Sequence, residues 1–323
     1  TAYKPGPWSS VKTNAPPPLL FSSPTVVGTG VTSGSVSCAD LDGDGDLDAI
    51  VTGTSNGLDS GVKLEFCRNN GGGVFTVTSF GTGVRQQSSS SIGDVDMDGD
   101  LDLVVSGRDA TGTRRLHRYL NDGTGSMTGP TAFGTAVDQA AAAFVDVDGD
   151  GDLDLIVIGD SGAGYRCDKY LNDGVGTFSG PNAFGTGLYS PGLSTGDVDG
   201  YGDMDLIATG NTGAARRLDR YINDGAGNFS GTAFGSGVNN STNPLVDIDG
   251  DGDLDLIVGG NDVGTYRRDK YLNNGAGSFA GPTAFGVGVG GGTSVGDFDG
   301  DGDIDLLASG NAGAGVYRVD RYL

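Results

Sequence analysis

At six places along the chain, aspartates occupy alternate positions of a nine-residue loop whose sixth position is glycine. The loops read DLDGDGDLD (40–48), DVDMDGDLD (94–102), DVDGDGDLD (146–154), DVDGYGDMD (197–205), DIDGDGDLD (247–255) and DFDGDGDID (297–305). In the first stand Asp40, Asp42, Asp44, Asp46 and Asp48, and in the second Asp94, Asp96, Asp98, Asp100 and Asp102. The third holds Asp146, Asp148, Asp150, Asp152 and Asp154, and the fourth Asp197, Asp199, Asp203 and Asp205. The fifth holds Asp247, Asp249, Asp251, Asp253 and Asp255, and the sixth Asp297, Asp299, Asp301, Asp303 and Asp305. Alternate side chains on a tightly wound loop converge on one point. Glycine at the sixth position permits the sharp turn, and the seventh residue can add its carbonyl. So many hard oxygen donors suit Ca²⁺ better than Mg²⁺, which prefers an octahedral shell that retains water. The spacing predicts about six calcium sites, each shell closed by the ninth aspartate. Tyr201 replaces the fifth-position aspartate of the fourth loop, so that site is expected to be weaker or completed by water.

Asp/Gly-rich segments also form plain turns, but turn propensity does not generate six near-identical copies at regular spacing. Charge points the same way. The formal net charge is −23, and Glu65 is the sole glutamate among 42 acidic residues. Neutralising the 29 loop aspartates would turn −23 into +6, whereas six calcium ions would leave −11. The acidity belongs to the loops. Carboxylates crowded in one loop repel one another, so metal binding should be coupled to folding. A chain this acidic repels nucleic acid and anionic lipid, and it contains no apolar stretch long enough to span a bilayer. Neither nucleic acid nor membrane insertion is expected. Cys38, Cys67 and Cys167 are too few for a disulfide framework.

The loops begin 54, 52, 51, 50 and 50 residues apart, a period of propeller blades. Around each loop the same pieces recur. A short lead-in precedes the loop, and an apolar run such as LDLIVIG follows it, suited to a strand buried on both faces. Next come an alternating segment such as RRLDRYIN, a tight Asn/Asp-Gly turn, and a segment such as SFAGPTAFGVGV. The expected fold is all-β: a six-bladed β-propeller of four-stranded antiparallel blades. The sixth unit stops at its third strand, YRVDRYL, while residues 21–31 align without gaps to residues 279–289. Residues 19–31 are therefore expected to supply the missing strand, in cis or from a neighbouring molecule. The division predicted is an extended Pro-rich arm over 1–18 and a propeller over 19–323. Tyr3 and Trp8 of the arm are candidate anchors on another copy.

Catalytic constellations are scarce. The lone histidine, His117, occupies a position where other units carry Asp168, Asp219, Asp269, Asp320 or Glu65. On this ground the chain is expected not to be an enzyme. The same strands carry trios such as Arg166-Asp168-Tyr170 on one face. Two readings of them stand: packing between blades, or a ring of sugar subsites.

With these loops and the recurring Phe-Gly pairs (Phe80-Gly81, Phe133-Gly134, Phe184-Gly185, Phe234-Gly235, Phe285-Gly286), the chain resembles the FG-GAP/VCBS repeat family. That family includes the heads of integrin α chains and a calcium-binding fungal lectin propeller. The resemblance implies an extracellular, calcium-bound propeller that mediates adhesion or binds sugars, with the aspartates named above as metal ligands. Two functions are expected on this basis. The first is a self-associating structural or adhesive subunit of a surface or filamentous assembly, joined head to tail. The second is a calcium-dependent lectin or adhesin, secreted or at the cell surface, that meets extracellular glycans or proteins.

Overall fold

The computed structural model describes residues 26–322; the arm (1–18) and most of the expected N-terminal strand lie outside them. Every strand pairing is antiparallel, and the described residues contain no helix beyond a short 3-10 turn at Asp59–Gly61. The first repeat forms a four-stranded sheet from Val36–Ala39, Asp48–Thr54, Val62–Asn69 and Phe75–Ser79, in chain order. The fourth repeats this plan with Tyr189–Gly196, Asp205–Asn211, Arg216–Asn223 and Phe229–Gly235. In the fifth, the first strand is split into Asn239–Thr242 and Leu245–Val246, both paired with Asp255–Asp262. The sixth has three strands, Thr293–Gly296, Asp305–Asn311 and Tyr317–Tyr322.

Among the described residues the sheets number five rather than the six expected. The second and third repeats share one seven-stranded sheet because Thr128–Val145 is a single strand. Its beginning pairs with Arg114–Leu120 and its end with Asp154–Asp160. The turn that follows each Phe-Gly pair has a glycine (Gly83, Gly187, Gly237 or Gly288) where this repeat has Ala136. A Cβ on Gly187 would fall on the Tyr165 carbonyl, and one on Gly237 on that of Arg217. The Cβ of Ala136 rules out so close an approach, and the next residue, Val137, pairs with Arg115.

The middle repeats' second strands carry consecutive aliphatic residues because neighbouring repeats cover both their faces. Leu103 and Val105 pack with Ile50 and Leu64 of the first repeat. Val104, between them, packs with Leu155 and Val157 of the third. Similar clusters join the third to the fourth repeat and the fourth to the fifth.

Each junction is also bolted by the Phe-Gly pair. Phe133 meets the ring of Tyr170 edge-on at 5.7 Å, and the Tyr170 hydroxyl accepts the Thr135 N–H at 2.9 Å. Phe80 with Tyr119, Phe184 with Tyr221, Phe234 with Tyr271 and Phe285 with Tyr322 repeat the contact. Glycine is required at this bolt because Gly134 has φ +57° and a Cβ there would strike the tyrosine ring. The first repeat has Cys67 in place of the tyrosine. There Glu65 takes over, accepting the Thr29 N–H at 3.1 Å and the Thr29 hydroxyl at 2.8 Å. Residues 26–31 thus sit on the first repeat as the exit of each fourth strand sits on the repeat after it.

Replacing Tyr170 with phenylalanine leaves the Thr135 N–H without its acceptor. The Tyr170→Phe protein is expected to lose about 1–3 kcal/mol in denaturant unfolding, with its secondary structure retained.

Candidate metal centres

The acidic loop links first to second strand in every repeat, so the buried second strand sets where its carboxylates fall. The first aspartate winds the loop. Asp146 accepts N–H groups from Gly149 at 2.8 Å and Gly151 at 3.1 Å, and Asp247 does the same with Gly250 and Gly252. The sixth-position glycines all lie at φ +90° to +97°, where a side chain is strained. Position four is left-handed as well, and Met97 is its one non-glycine occupant, at φ +58°.

The ninth aspartate is the most buried of the set and works as a clip. Asp154 accepts the Val147 N–H at 3.1 Å and the Asn172 N–H at 2.8 Å. The Asn172 side chain then donates to the Leu153 carbonyl of its own loop, and across the junction to the Val95 carbonyl of the preceding loop at 2.7 Å. Asn121, Asn223 and Asn273 make the same crossing to Leu41, Val147 and Val198. These asparagines escape a sequence reading because they lie in what looks like an ordinary hairpin turn.

Oxygens of the first, third and ninth aspartates come within 4.8 Å of one another in four loops: Asp40/Asp42/Asp48, Asp94/Asp96/Asp102, Asp146/Asp148/Asp154 and Asp197/Asp199/Asp205. In the fifth loop the group is Asp247, Asp249 and Asp251. Convergence of all five carboxylates is not what the loops show. Asp44, Asp98 and Asp150, at position five, are exposed and accept the N–H of residue seven. The seventh side chains turn toward the third hairpin, where Asp100, Asp152, Asp203 and Asp253 lie against Gly123, Gly174, Gly225 and Gly275.

The donors fit a hard cation. Asp94, Asp96 and Asp148 each keep one buried Oδ1 without a hydrogen-bond partner. Burial, and then the neighbouring carboxylates, push Asp96 and Asp148 above the usual carboxylate range. Burial raises Asp102 and Asp154 to about 6 even though two backbone N–H groups pull each the other way. Clustered, desolvated, all-oxygen and mutually repelling, such groups could hold a metal ion. In the fourth loop Tyr201 is 82% exposed and adds no carboxylate to the cluster.

The third-strand trios are structural. Arg166 bonds Asp168 at 2.8 Å and Arg217 bonds Asp219 at 2.7 Å, while Tyr119, Tyr170, Tyr221 and Tyr271 are buried at the junctions. Those rings cannot stack on a sugar. His117 is buried against Tyr119, and burial followed by the Arg115 charge lowers its pKa. All three cysteines are free.

Two measurements follow from this geometry. Gly151 faces open space, so Gly151→Ala is expected to cost about 1–2 kcal/mol from backbone strain alone. In chelator the pH response should be inverted. Asp102 and Asp154 bind protons more tightly folded, at about 6, than in the unfolded chain, near 3.8. Their protonated forms therefore favour the fold below pH 4, and that contribution disappears as pH rises through 6. The melting temperature of the metal-free protein should climb from pH 7 to pH 5.

The FG-GAP-like repeat family matches this sequence over residues 40–105, 94–157 and 247–308, more than half of the chain. No curated protein matches the sequence. Among solved structures, the fold is similar to that of the rhamnogalacturonan lyase YesW, at 17% identity and a TM-score of 0.54. That alignment covers 93% of this chain and 59% of the lyase, so this chain spans less than two thirds of that enzyme. A thermostable family-43 glycoside hydrolase aligns at 12% identity and a TM-score of 0.40, over 80% of this chain and 97% of that one. The lyase corrects the expectation that the chain is not an enzyme. A catalyst is built on this fold, and one buried histidine with a set of loop aspartates does not exclude another. The repeated acidic loops, the Phe-Gly bolts and the matched residues lead to one conclusion: this chain belongs to the FG-GAP-like repeat family.

Proposed function

We propose that the protein is an extracellular, calcium-organised subunit that associates with copies of itself in a surface or filamentous assembly. Its six repeats are the blades of a propeller, and residues 19–31 provide the strand that the sixth blade lacks. The clusters described above bind calcium, about six ions in all, with the fourth site the weakest. Calcium supplies the positive charge that lets the loops pack at the blade junctions. The residues that hold it are the aspartates at positions one, three and nine, with those at five and seven reaching it directly, through water or through the main chain. Extracellular calcium is abundant enough to keep weak oxygen sites of this kind filled.

One observation carries this reading. Carboxylate clusters recur in successive loops, and those of the second and third keep buried oxygens that no protein group satisfies. An array that depends on bound cations at every link is suited to a mechanical or adhesive role outside the cell. Extracellular glycans or proteins are the alternative partners. The burial of the junction tyrosines argues against the blade-to-blade subsites that a lectin role would use.

The test is thermal unfolding with calcium and with chelator. Each site held at a hundred times its Kd adds about 2.7 kcal/mol, so removing calcium should lower Tm by ~10 °C or more. An unchanged melt would count against the reading. Tyr201→Asp restores the fifth carboxylate of the fourth loop, and titration calorimetry should show that site binding calcium more tightly.

A further inference from the structure

The two ends of the array are complementary halves of the junction that the chain already makes internally. On the first repeat, Leu47 is 64% exposed and Val36 63%. Two counterparts of Leu47 lie against the preceding repeat, Leu153 against Gly93 and Leu254 against Gly196, while Ile304 in the sixth repeat is 47% exposed. Asn69 keeps the bond to its own loop, at the Leu47 carbonyl, 3.2 Å. It lacks the crossing bond that the four later asparagines make to a preceding loop.

On the sixth repeat the opposite face is bare. Val319 is 75% exposed, whereas Leu64, Leu116, Cys167 and Leu218 at the same strand position are buried against the next repeat. The third strand, Tyr317–Tyr322, has no fourth strand beside it among the described residues. Residues 26–31 already occupy, on the first repeat, the seat that the exit of a preceding fourth strand takes elsewhere. Seven residues, 19–25, lie between that seat and the prolines at 16–18. The fourth strands Phe75–Ser79, Ser179–Ala183 and Ala280–Ala284 are five residues long.

We propose that the first repeat of one molecule docks on the sixth repeat of a second copy, reproducing the internal junction between molecules. Asn69 then donates to the Phe298 carbonyl, Leu47 packs on Gly296, and residues 19–25 pair with Tyr317–Tyr322 of that copy. The face offered and the face accepted are different, so the contact is heterologous and repeats without closing. The inference deepens the self-association proposed above by naming the surfaces, and it takes the six blades as an arc whose first and last members meet between molecules and not within one.

Sedimentation of the full chain in calcium tests it, with two charge variants at exposed positions, Leu47→Asp and Val319→Asp. Circular dichroism serves to confirm that both fold. Wild type is expected to grow with concentration in multiples of 32.5 kDa, while each variant alone stays at one. An equimolar mixture of the variants retains one intact junction and should give a dimer and nothing larger. Wild type that stays monomeric overturns the proposal together with the self-association reading; its ends are then free or closed on each other. Variants that assemble like wild type overturn the proposal alone, because assembly then runs through another surface.

Discussion

A carboxylate with no water around it must be matched by donors or by charge, and Asp154 and its counterparts meet that demand at the structural centre of each repeat. Two backbone N–H groups, one from the loop and one from the third strand, approach its two oxygens. The loop, the second strand and the third hairpin are thereby held to a single point. Of the carboxylates gathered around that point, Asp94, Asp96 and Asp148 each keep a buried oxygen with no partner, and crowding in the loop sets the charges against one another. The rim is held by these hydrogen bonds as well as by the apolar clusters between sheets. Their packing fixes the loops in place and brings the carboxylates into clusters that could hold a metal ion.

The lateral contacts follow one rule. Each repeat presents a face with a tyrosine, an asparagine and two inward aliphatic residues, and its neighbour presents a Phe-Gly turn, a loop carbonyl and one outward aliphatic residue. Where a repeat departs from the rule, the structure shows a local substitute. Glu65 does the hydrogen bonding of a missing tyrosine. Arg268 fills an outward aliphatic position and lies 5.2 Å from the ring centroid of Tyr322. Ala136 stands where other repeats have a close-packed glycine, within the strand that runs through two repeats. The architecture tolerates such exchanges because each junction is a separate contact between neighbours.

Much of this was legible before the fold was known, and the reason is periodicity. Runs such as LDLIVIG declare strands covered on both faces, and the loops declare their spacing and their glycines. What the residues did not disclose are relations across the gap between repeats. Phe-Gly and the third-strand tyrosine were each visible as motifs, yet nothing in one repeat states that they meet in the next. The asparagine clips were hidden in turn chemistry, since Asn before Asp-Gly reads as a hairpin signal regardless of what its amide touches. The seventh aspartates were misplaced for a related reason. Alternation along a loop predicts a common side only while the backbone stays regular, and two left-handed residues within three positions break it.

The asparagine crossing also changes how the rim should be pictured. Asn172 grips its own loop and the one before it with the same amide, so the loops form a row of latches, each closed by its follower. A disturbance in one loop has a short route to the next through one side chain, whereas loops further away feel it only through intermediate links. Such a row behaves as a zip and not as a set of independent clasps. Its weakest points are the two ends, where a latch has nothing to catch.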